Sequence, residues 1–494
     1  MKEIFANSQY IINLFIYLAV AVVAVVFAFL SQSLKSKSSL QNDKNITIKP
    51  RISNIKNSFQ NDNNKPKKVQ ITNIKNSFQN GKSNTKEPQI NNAKSSSPSG
   101  KSKALETQNK FSYLFFSLSF LTLALFAFLA VTGMDRESYT NIIDKVTWQS
   151  LLDPQLEFGF ELICIVLKAV FVNPYVVVAV ISVFVVALNF VVIFLLRQQI
   201  NIGFAVLMYV SIFYFQMFNL TRIYLSAALC LLSGYFLCKD KKTLAILFVA
   251  IAFSIHYTSL MMFVPMIIFR IFKSSKLQDY QQYSLIAMIF LVGTIGALTL
   301  LPLAIETIPF MQKYQYVLED LGANFGVAQF VYFLPMFAII AVYNHTFCDK
   351  NSVLLAVIYM VLGFAVGMIS YKIIVFGRMS ILIELGFVVI IPYMLQKFKE
   401  ENFANRICRT ASAQNKQNTK NTKNVLFELR HCVSDAVIFK KNKLAIDCKI
   451  SIPYICTSLF MTAYLTARLL LYFNGYFFVD KLQELSFLWE FVGK

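Results

Sequence analysis

Five ionisable side chains stand where apolar segments begin or end. Asp135 and Glu157 lie between two hydrophobic runs, Arg222 opens a third, His256 closes another, and Arg378 stands near the start of a later one. Carboxylates and imidazoles take up and return protons. A planar guanidinium stays charged and pairs anionic oxygens through parallel hydrogen bonds. The types therefore suit proton transfer beside an anion. Each residue alone also has a plain reading: an arginine at a helix end reaches toward the interface, a histidine packs or hydrogen-bonds, and a loop aspartate is solvated. What favours chemistry is that residues far apart in sequence fall at one depth, where an ionisable group at a membrane helix is expensive to keep.

The elements that position them are membrane helices. Of the 494 residues 56% are hydrophobic, 15% are aromatic and only 16 are Gly, and the mean hydropathy is +0.54. This exceeds what a soluble core can use. A bilayer core needs runs of about 20 apolar residues, and lipid leaves helices as the plausible spanning element because no water is there to satisfy the backbone. Such runs recur near 10–30, 111–131, 175–196, 202–218, 220–238, 243–256, 258–272, 284–303, 328–343, 352–370, 373–395 and 451–474. The expected fold is all-α and polytopic, with about twelve transmembrane helices. The N-terminal run is too long for a signal h-region and reads as a retained helix.

Charge sets the expected orientation. Residues 33–110 carry 16 Lys/Arg against 4 Asp/Glu, and 396–449 carry 12 against 5, so nearly all of the net +21 sits in two segments. This fits positive-inside bias and attraction to anionic lipid better than nucleic-acid recognition, since the segments show no regular aromatic-basic interleaving. Both segments are expected to be disordered and cytoplasmic. Within the first, Asn-Ile-Lys-Asn-Ser-Phe-Gln-Asn occurs at 54–61 and again at 73–80, a local duplication. The basic turns Lys239–Lys242 and Arg270–Lys276 should lie on the same side. The short apolar stretch 158–173 holds Glu161 and Lys168, and as a span it would invert every later loop. It therefore reads as an interfacial helix on the outer face. The division is a first helix to 32, a linker 33–110, a core 111–395, a basic segment 396–449, and a last helix with an outer tail. Loops 132–174 and 304–327 face outward. The eight cysteines show no Cys-x-x-Cys, so neither a disulfide framework nor a zinc site is expected.

Several motifs then line up. Gly133-Met134-Asp135-Arg136-Glu137-Ser138-Tyr139 resembles the Gly-x-Asp-x-x-x-Tyr outer-loop element of EpsG/Wzy-type polysaccharide polymerases, and Glu157-Phe158-Gly159-Phe160 resembles their Glu-x-Gly-Phe. Arg222 with Leu225-Ser226-Ala227-Ala228, a basic turn, and Ala252 to Leu260 around His256 follow the same order, and Phe376-Gly377-Arg378-Met379-Ser380 is similar to the late Arg motif. The likeness covers 113–395. One departure is that Ala130-Val131-Thr132 offers no Arg ahead of Gly133.

The resemblance implies a GT-C-like membrane glycosyltransferase, an oligosaccharide repeat-unit polymerase of the O-antigen or exopolysaccharide kind, at the outer face of a bacterial inner membrane. The sugar hydroxyl of one polyprenyl-diphosphate-linked oligosaccharide would displace the lipid diphosphate of another. It casts Asp135 as base, Arg222 and Arg378 as holders of the diphosphate, and His256 as donor of a hydrogen bond or proton to the same leaving group. Glu157 would position the acceptor or pair with an Arg. Tyr139 and Tyr224 would stack on a sugar or grip polyprenyl, against the plainer reading as packed aromatics in a chain with 48 Phe and 23 Tyr. No cofactor, no metal and no nucleic acid is expected. The partners would be membrane lipid, a flippase and a chain-length regulator. Two rival readings are a transporter or flippase of lipid-linked sugars, which needs midplane polar groups and paired halves, and a membrane acyltransferase, for which no acyl-transfer motif is present.

Overall fold

The computed structural model describes residues 2–45, 99–131, 133–152, 156–307, 350–370, 374–397, 399–400, 458–467 and 486–487. They are almost wholly helical. Among them six helices are long and apolar enough to cross a membrane: Ile12–Lys35, Asn109–Leu129, Pro174–Leu195, Thr221–Cys238, Asp279–Leu300 and Met379–Lys397. Four shorter apolar helices are Ile202–Tyr214, Lys242–Ile255, Val353–Ile369 and Ser458–Ala467. The expected span at 328–343, most of the one at 451–474, both repeat copies and the loop 308–327 lie outside the described residues.

The chain opens with a helical hairpin. Helix α1 (Lys2–Asn45) and helix α2 (Ser99–Leu129) both continue into the stretch read from sequence as linker. Along α1 the residues Tyr17, Ala21, Ala24 and Ala28 are buried while Phe15, Val22 and Val26 stay exposed. Such alternating three- and four-residue steps make one packed stripe. The stripe meets α2 in antiparallel register: Tyr17 against Phe126 at 5.4 Å, Ser119 Oγ donating to the Ala24 carbonyl at 2.8 Å, and Ser31 Oγ 3.2 Å from Ser112 Oγ. Each seven-residue step along one helix matches a seven-residue step back along the other. Lipid offers no hydrophobic drive for helix pairing, so small residues that admit close backbones and hydroxyls that bond across the seam hold such a pair.

After α2 comes strand β1 (Ala130–Val131), then helix α3 (Met134–Lys145), a turn through Ser150–Leu152, and helix α4 (Phe158–Val170). The region expected to be an outer loop is thus mostly helix, and Asp135 occupies the first turn of α3. Helix α5 (Pro174–Leu195) starts on an Asn173 cap whose side chain accepts from the Tyr175 N–H at 2.9 Å, with Pro174 in the first turn where its missing donor costs nothing. The stretch expected as one helix over 202–218 is broken. Helix α6 (Ile202–Tyr209) passes into a π turn, Val210–Tyr214, and a 3-10 turn, Gln216–Phe218, nearly all of it buried at the centre of the bundle.

Helix α7 (Thr221–Cys238) and helix α8 (Lys242–Ile255) form a second antiparallel hairpin, followed by the 3-10 turn Tyr257–Met262 and helix α9 (Phe263–Lys273). Then come α10 (Asp279–Thr307), α11 (Lys350–Ser370) and α12 (Ile374–Glu384). The span carrying α12 is interrupted by a turn at 385–386, where Gly386 lies against the Tyr359 ring of α11. Near the C-terminus, strand β2 (Ser486–Phe487) pairs antiparallel with β1, Ala130 opposite Phe487 and Val131 opposite Ser486. Apart from this two-residue pairing the described residues are helices and turns, as the all-α expectation has it.

Two ends of the bundle emerge. At one, Lys35 Nζ donates to the Arg197 carbonyl, the Asn201 N–H donates to the Pro392 carbonyl at 3.4 Å, and Arg197 stacks on Phe194. The Lys273–Asp240 ion pair joins the ends of α9 and α7. At the other, Phe126 meets Phe218, and Gly133 lies against Phe218 and Asn219. Both termini of α4 belong to this second end: its start contacts α8 at Ser254, and its Lys168 donates to the Asp144 carbonyl just before α5 sets off across the bundle. Helix α4 has 13 residues and is not among the helices long enough to cross a membrane.

The α1–α2 seam depends on side chains outside 46–98. A chain lacking 46–95 and carrying Ser31→Cys with Ser112→Cys should still cross-link within the membrane on oxidation, read as a mobility shift lost on reduction. Failure of that pair to cross-link in the intact chain would remove the register described above.

Candidate functional site

The register of the second hairpin builds the site. On α7, Ser233 Oγ donates to the Ala245 carbonyl at 2.7 Å, and Ser226 Oγ donates to the Ala252 carbonyl at 3.1 Å. Seven residues back along α7 match seven residues forward along α8. Four more in each direction bring Arg222 opposite His256. Ser226 also bonds Ser259 from the 3-10 turn, so the segment just after His256 is tied to α7 as well. The hydroxyls are buried, where each unpaired polar group would be costly.

Between the two cations comes a carboxylate from the other side. Glu157 is the residue before α4, and its backbone is extended, which turns its side chain inward. One carboxylate oxygen, Oε2, pairs with Arg222 Nη1, and the other, Oε1, lies 2.8 Å from His256 Nδ1. Glu157 is about 8% exposed at the side chain, against 18% for Arg222 and 12% for His256, so the cluster sits under a thin cover. Burial pushes the Glu157 carboxyl up, but the His256 hydrogen bond and the Arg222 charge outweigh it and hold the carboxyl below its ordinary range. The carboxylate is therefore ionised at neutral pH and His256 Nδ1 must carry the hydrogen it donates. The tautomer follows: the second ring nitrogen, Nε2, is the one left for other chemistry.

Two features let Glu157 approach. Gly159, two residues on, lies against the Ser254 side chain and backbone, so any Cβ there would collide with α8. Phe160 packs beneath Arg222, whose guanidinium carbon sits 6.0 Å from the ring centre. Glu161, fully buried one turn into α4, accepts from the Leu156 N–H at 2.7 Å and fixes the peptide just ahead of Glu157. The expected Glu-x-Gly-Phe pattern thus has a physical reason at each fixed position.

The remaining predicted residues fall around this cluster. Tyr139 is buried, its ring 5.8 Å from Phe160, one aromatic layer behind Arg222. Tyr224 is fully buried, and its hydroxyl donates to Gln216 Oε1 at 2.7 Å, which makes it a packing residue of the centre. Asp135 and Arg378 have their backbones in the first turn of α3 and in α12, while their side chains lie outside the described residues. Helix α12 packs against the turn Tyr257–Met262, which brings the helix of Arg378 beside the segment following His256.

Sequence reasoning passed over two buried charges. Arg136 is 3% exposed, and its Nη1 donates to the Ala130 carbonyl at 2.5 Å. Burial pushes its guanidinium down to about 10, so it stays charged at neutral pH. Glu384 is buried inside the span Met379–Lys397, where Ser380 hydrogen-bonds it. The signal for Arg136 was present as a cation directly after Asp135; nothing in the sequence distinguished it from a solvated loop residue. Among the described residues no group of three or more His, Cys, Asp or Glu is placed to hold a metal ion.

Comparison with known proteins gives one match. A model described as the EpsG family matches residues 113–408, a stretch that contains the Glu157, Arg222 and His256 cluster and both α3 and α12. Neither a curated protein nor a solved structure matches the chain.

The Glu157 contacts set a pH dependence. A carboxyl held below its ordinary range contributes stability that is complete above that range and is lost as pH falls below it, toward and through the lowered value of the folded state. Thermal unfolding of the detergent-solubilised protein should therefore show wild type losing stability toward acid, while Glu157→Gln starts lower by ~1.5–3 kcal/mol, the scale of a lost charge-assisted hydrogen bond, and changes less with pH. Parallel pH curves for the two proteins would mean that the carboxylate is not the bridge.

Proposed function

Because the chain belongs to the EpsG family, polysaccharide polymerases of Wzy type, we propose that it joins polyprenyl-diphosphate-linked oligosaccharide repeats into a surface or exopolysaccharide at the outer face of a bacterial inner membrane. The observation that carries the reading is the Arg222–Glu157–His256 cluster at the bundle end opposite Lys35, Arg197 and Lys273. An orientation with those cations inside follows the positive-inside bias and turns the cluster outward.

In this reaction the acceptor sugar hydroxyl forms a bond to the donor's anomeric carbon while the bond from that carbon to the diphosphate oxygen breaks. The hydroxyl proton passes to a carboxylate or imidazole, and the electron pair leaves with the lipid diphosphate. Asp135 is our choice of base, because a carboxylate at a low-dielectric boundary can be tuned toward the working pH. Arg222 and Arg378 would hold the departing diphosphate through guanidinium forks. His256 would face the same group through Nε2, its Nδ1 hydrogen fixed on Glu157. Glu157 keeps Arg222 and His256 in place before substrate arrives, which favours the Arg-pairing role over direct contact with the acceptor. Tyr139, lying behind Phe160, would support the wall of the site. A flippase would also use a buried group such as Glu384. That reading has one such residue in its favour and no paired helical halves among the described residues.

Arg222→Ala should stop polymerisation while lipid-linked single repeats accumulate. Arg222→Lys should rescue poorly, because it keeps charge and loses the fork. Asp135→Asn should give the same accumulation at normal protein abundance. Chain-length distributions on gels read all three, and wild-type ladders from membrane-inserted Asp135→Asn would exclude it as the base. Wild-type ladders from both Arg222→Ala and Arg378→Ala would end the polymerase mechanism.

A further inference from the structure

The turn that carries Asp135 is held from three directions. Gly133 has a positive φ of 102°, and a Cβ there would lie 2.5 Å from the Phe218 carbonyl oxygen and 2.7 Å from Asn219 Oδ1. The turn is therefore pressed onto the buried strip between α6 and α7 in a conformation other residues rarely adopt. From within, Arg136 reaches back six residues and donates Nη1 to the Ala130 carbonyl. Its Nε and Nη2 are buried with no partner among the described residues. A buried guanidinium is expensive, so the one strong bond it makes fixes the loop between Ala130 and α3. From the edge, Ser486–Phe487 pairs with Ala130–Val131. A two-residue strand has exposed pairing groups unless something covers them, and here the cover comes from the far end of the chain, beyond the 113–408 stretch that matches the family.

We infer that the C-terminal segment at Ser486–Phe487 and the buried Arg136 together clamp the β1–Gly133–α3 turn, and that they are positioning elements for the site, setting where Asp135 stands without touching substrate. The inference rests on the proposed reaction for its effect on rate, and on the strand pairing alone for its geometry. The pairing itself brings residues 486–487 to the end of the bundle that carries β1 and Gly133. Ser486 and Phe487 are thus tied to the turn that precedes α3.

Two independent measurements test the clamp in the full-length membrane protein. With a protease site placed within 401–457, Val131→Cys and Ser486→Cys should cross-link on oxidation and keep the two fragments together on a non-reducing gel. Absence of the cross-link overturns the clamp whatever the protein catalyses. In a polymerisation assay on lipid-linked repeats, removal of 486–494 and Arg136→Met should each lower the rate at least tenfold and change the shape of its pH profile, because the base has moved. Arg136→Lys should recover most of the rate, since a single donor to Ala130 suffices. A merely structural role would scale the rate equally at every pH. Wild-type rates and profiles in both the truncated and the Arg136→Met protein overturn the inference. If Asp135→Asn is active while the cross-link still forms and the truncation still reshapes the profile, the error lies in the choice of base and the clamp stands.

Discussion

An ionised carboxylate under a thin apolar cover is tolerable only if both of its oxygens are engaged, and the arrangement of this bundle end follows from satisfying that one group. Glu157 is bound on one side by Arg222 and on the other by His256. An uncompensated buried charge costs several kcal/mol. Neither cation stands on the element that carries the acid, so α4 must enter above the α7–α8 hairpin at one height and one angle. Gly159 permits that entry by removing the side chain that would strike Ser254, and Glu161 fixes the approach by binding the Leu156 N–H. The start of α4 is fixed at this end, and Lys168 in its last turn is tied back to the Asp144 carbonyl at the end of α3.

The register that places Arg222 opposite His256 is itself set lower in the hairpin. Ser233 and Ser226 each bond a carbonyl of α8, and hydrogen bonds of this kind between membrane helices contribute about 0.6 kcal/mol on average. Individually that is little. Their value is in spacing, since a slip by one residue would carry both hydroxyls away from their carbonyls and separate the two cations from one carboxylate. The first hairpin uses the same device with Ser31, Ser112 and Ser119. Both seams therefore owe their alignment to small polar residues in apolar runs, while the bulk of the apolar side chains faces lipid or fills the centre.

This division explains what was legible in the chain. The helices follow from hydropathy, because lipid accepts few alternatives, and among the described residues six helices are long and apolar enough to cross where about twelve spans were expected. The short stretch 158–173, set apart in the sequence by Glu161 and Lys168, is a separate helix, Phe158–Val170. Glu157, Arg222 and His256 were identifiable as residues out of place in apolar surroundings, but their mutual contacts were not, since pairing depends on hairpin register and on a hydroxyl ladder that composition does not reveal. The break in 202–218 was hidden for a related reason: an unbroken apolar run says nothing about whether its backbone keeps a four-residue repeat, and here Val210–Tyr214 forms a π turn. Arg136 escaped because a cation beside an acid in a polar loop is usually solvated, and only the tertiary structure makes it 3% exposed. The β1–β2 pairing joins segments some 350 residues apart and leaves no local trace.

The cluster, once built, also constrains how it can act. Before substrate arrives Arg222 and His256 are preorganised by an anion the protein supplies, so their side-chain entropy has already been spent in folding and little is lost on binding. A diphosphate brings more negative charge and more acceptor oxygens than one carboxylate, and it can engage a guanidinium fork at both tines. On the proposed reaction it would therefore compete for Arg222 on favourable terms, while the bond between Glu157 Oε1 and His256 Nδ1 can persist throughout. The same acid would hold the cation in readiness and keep the imidazole tautomer fixed as the diphosphate departs. On the proposed reaction Glu157 stays with His256 through Oε1, and the hydroxyl proton goes to a second carboxylate. Our candidate is Asp135, on a turn whose position is fixed by contacts that Glu157 does not share.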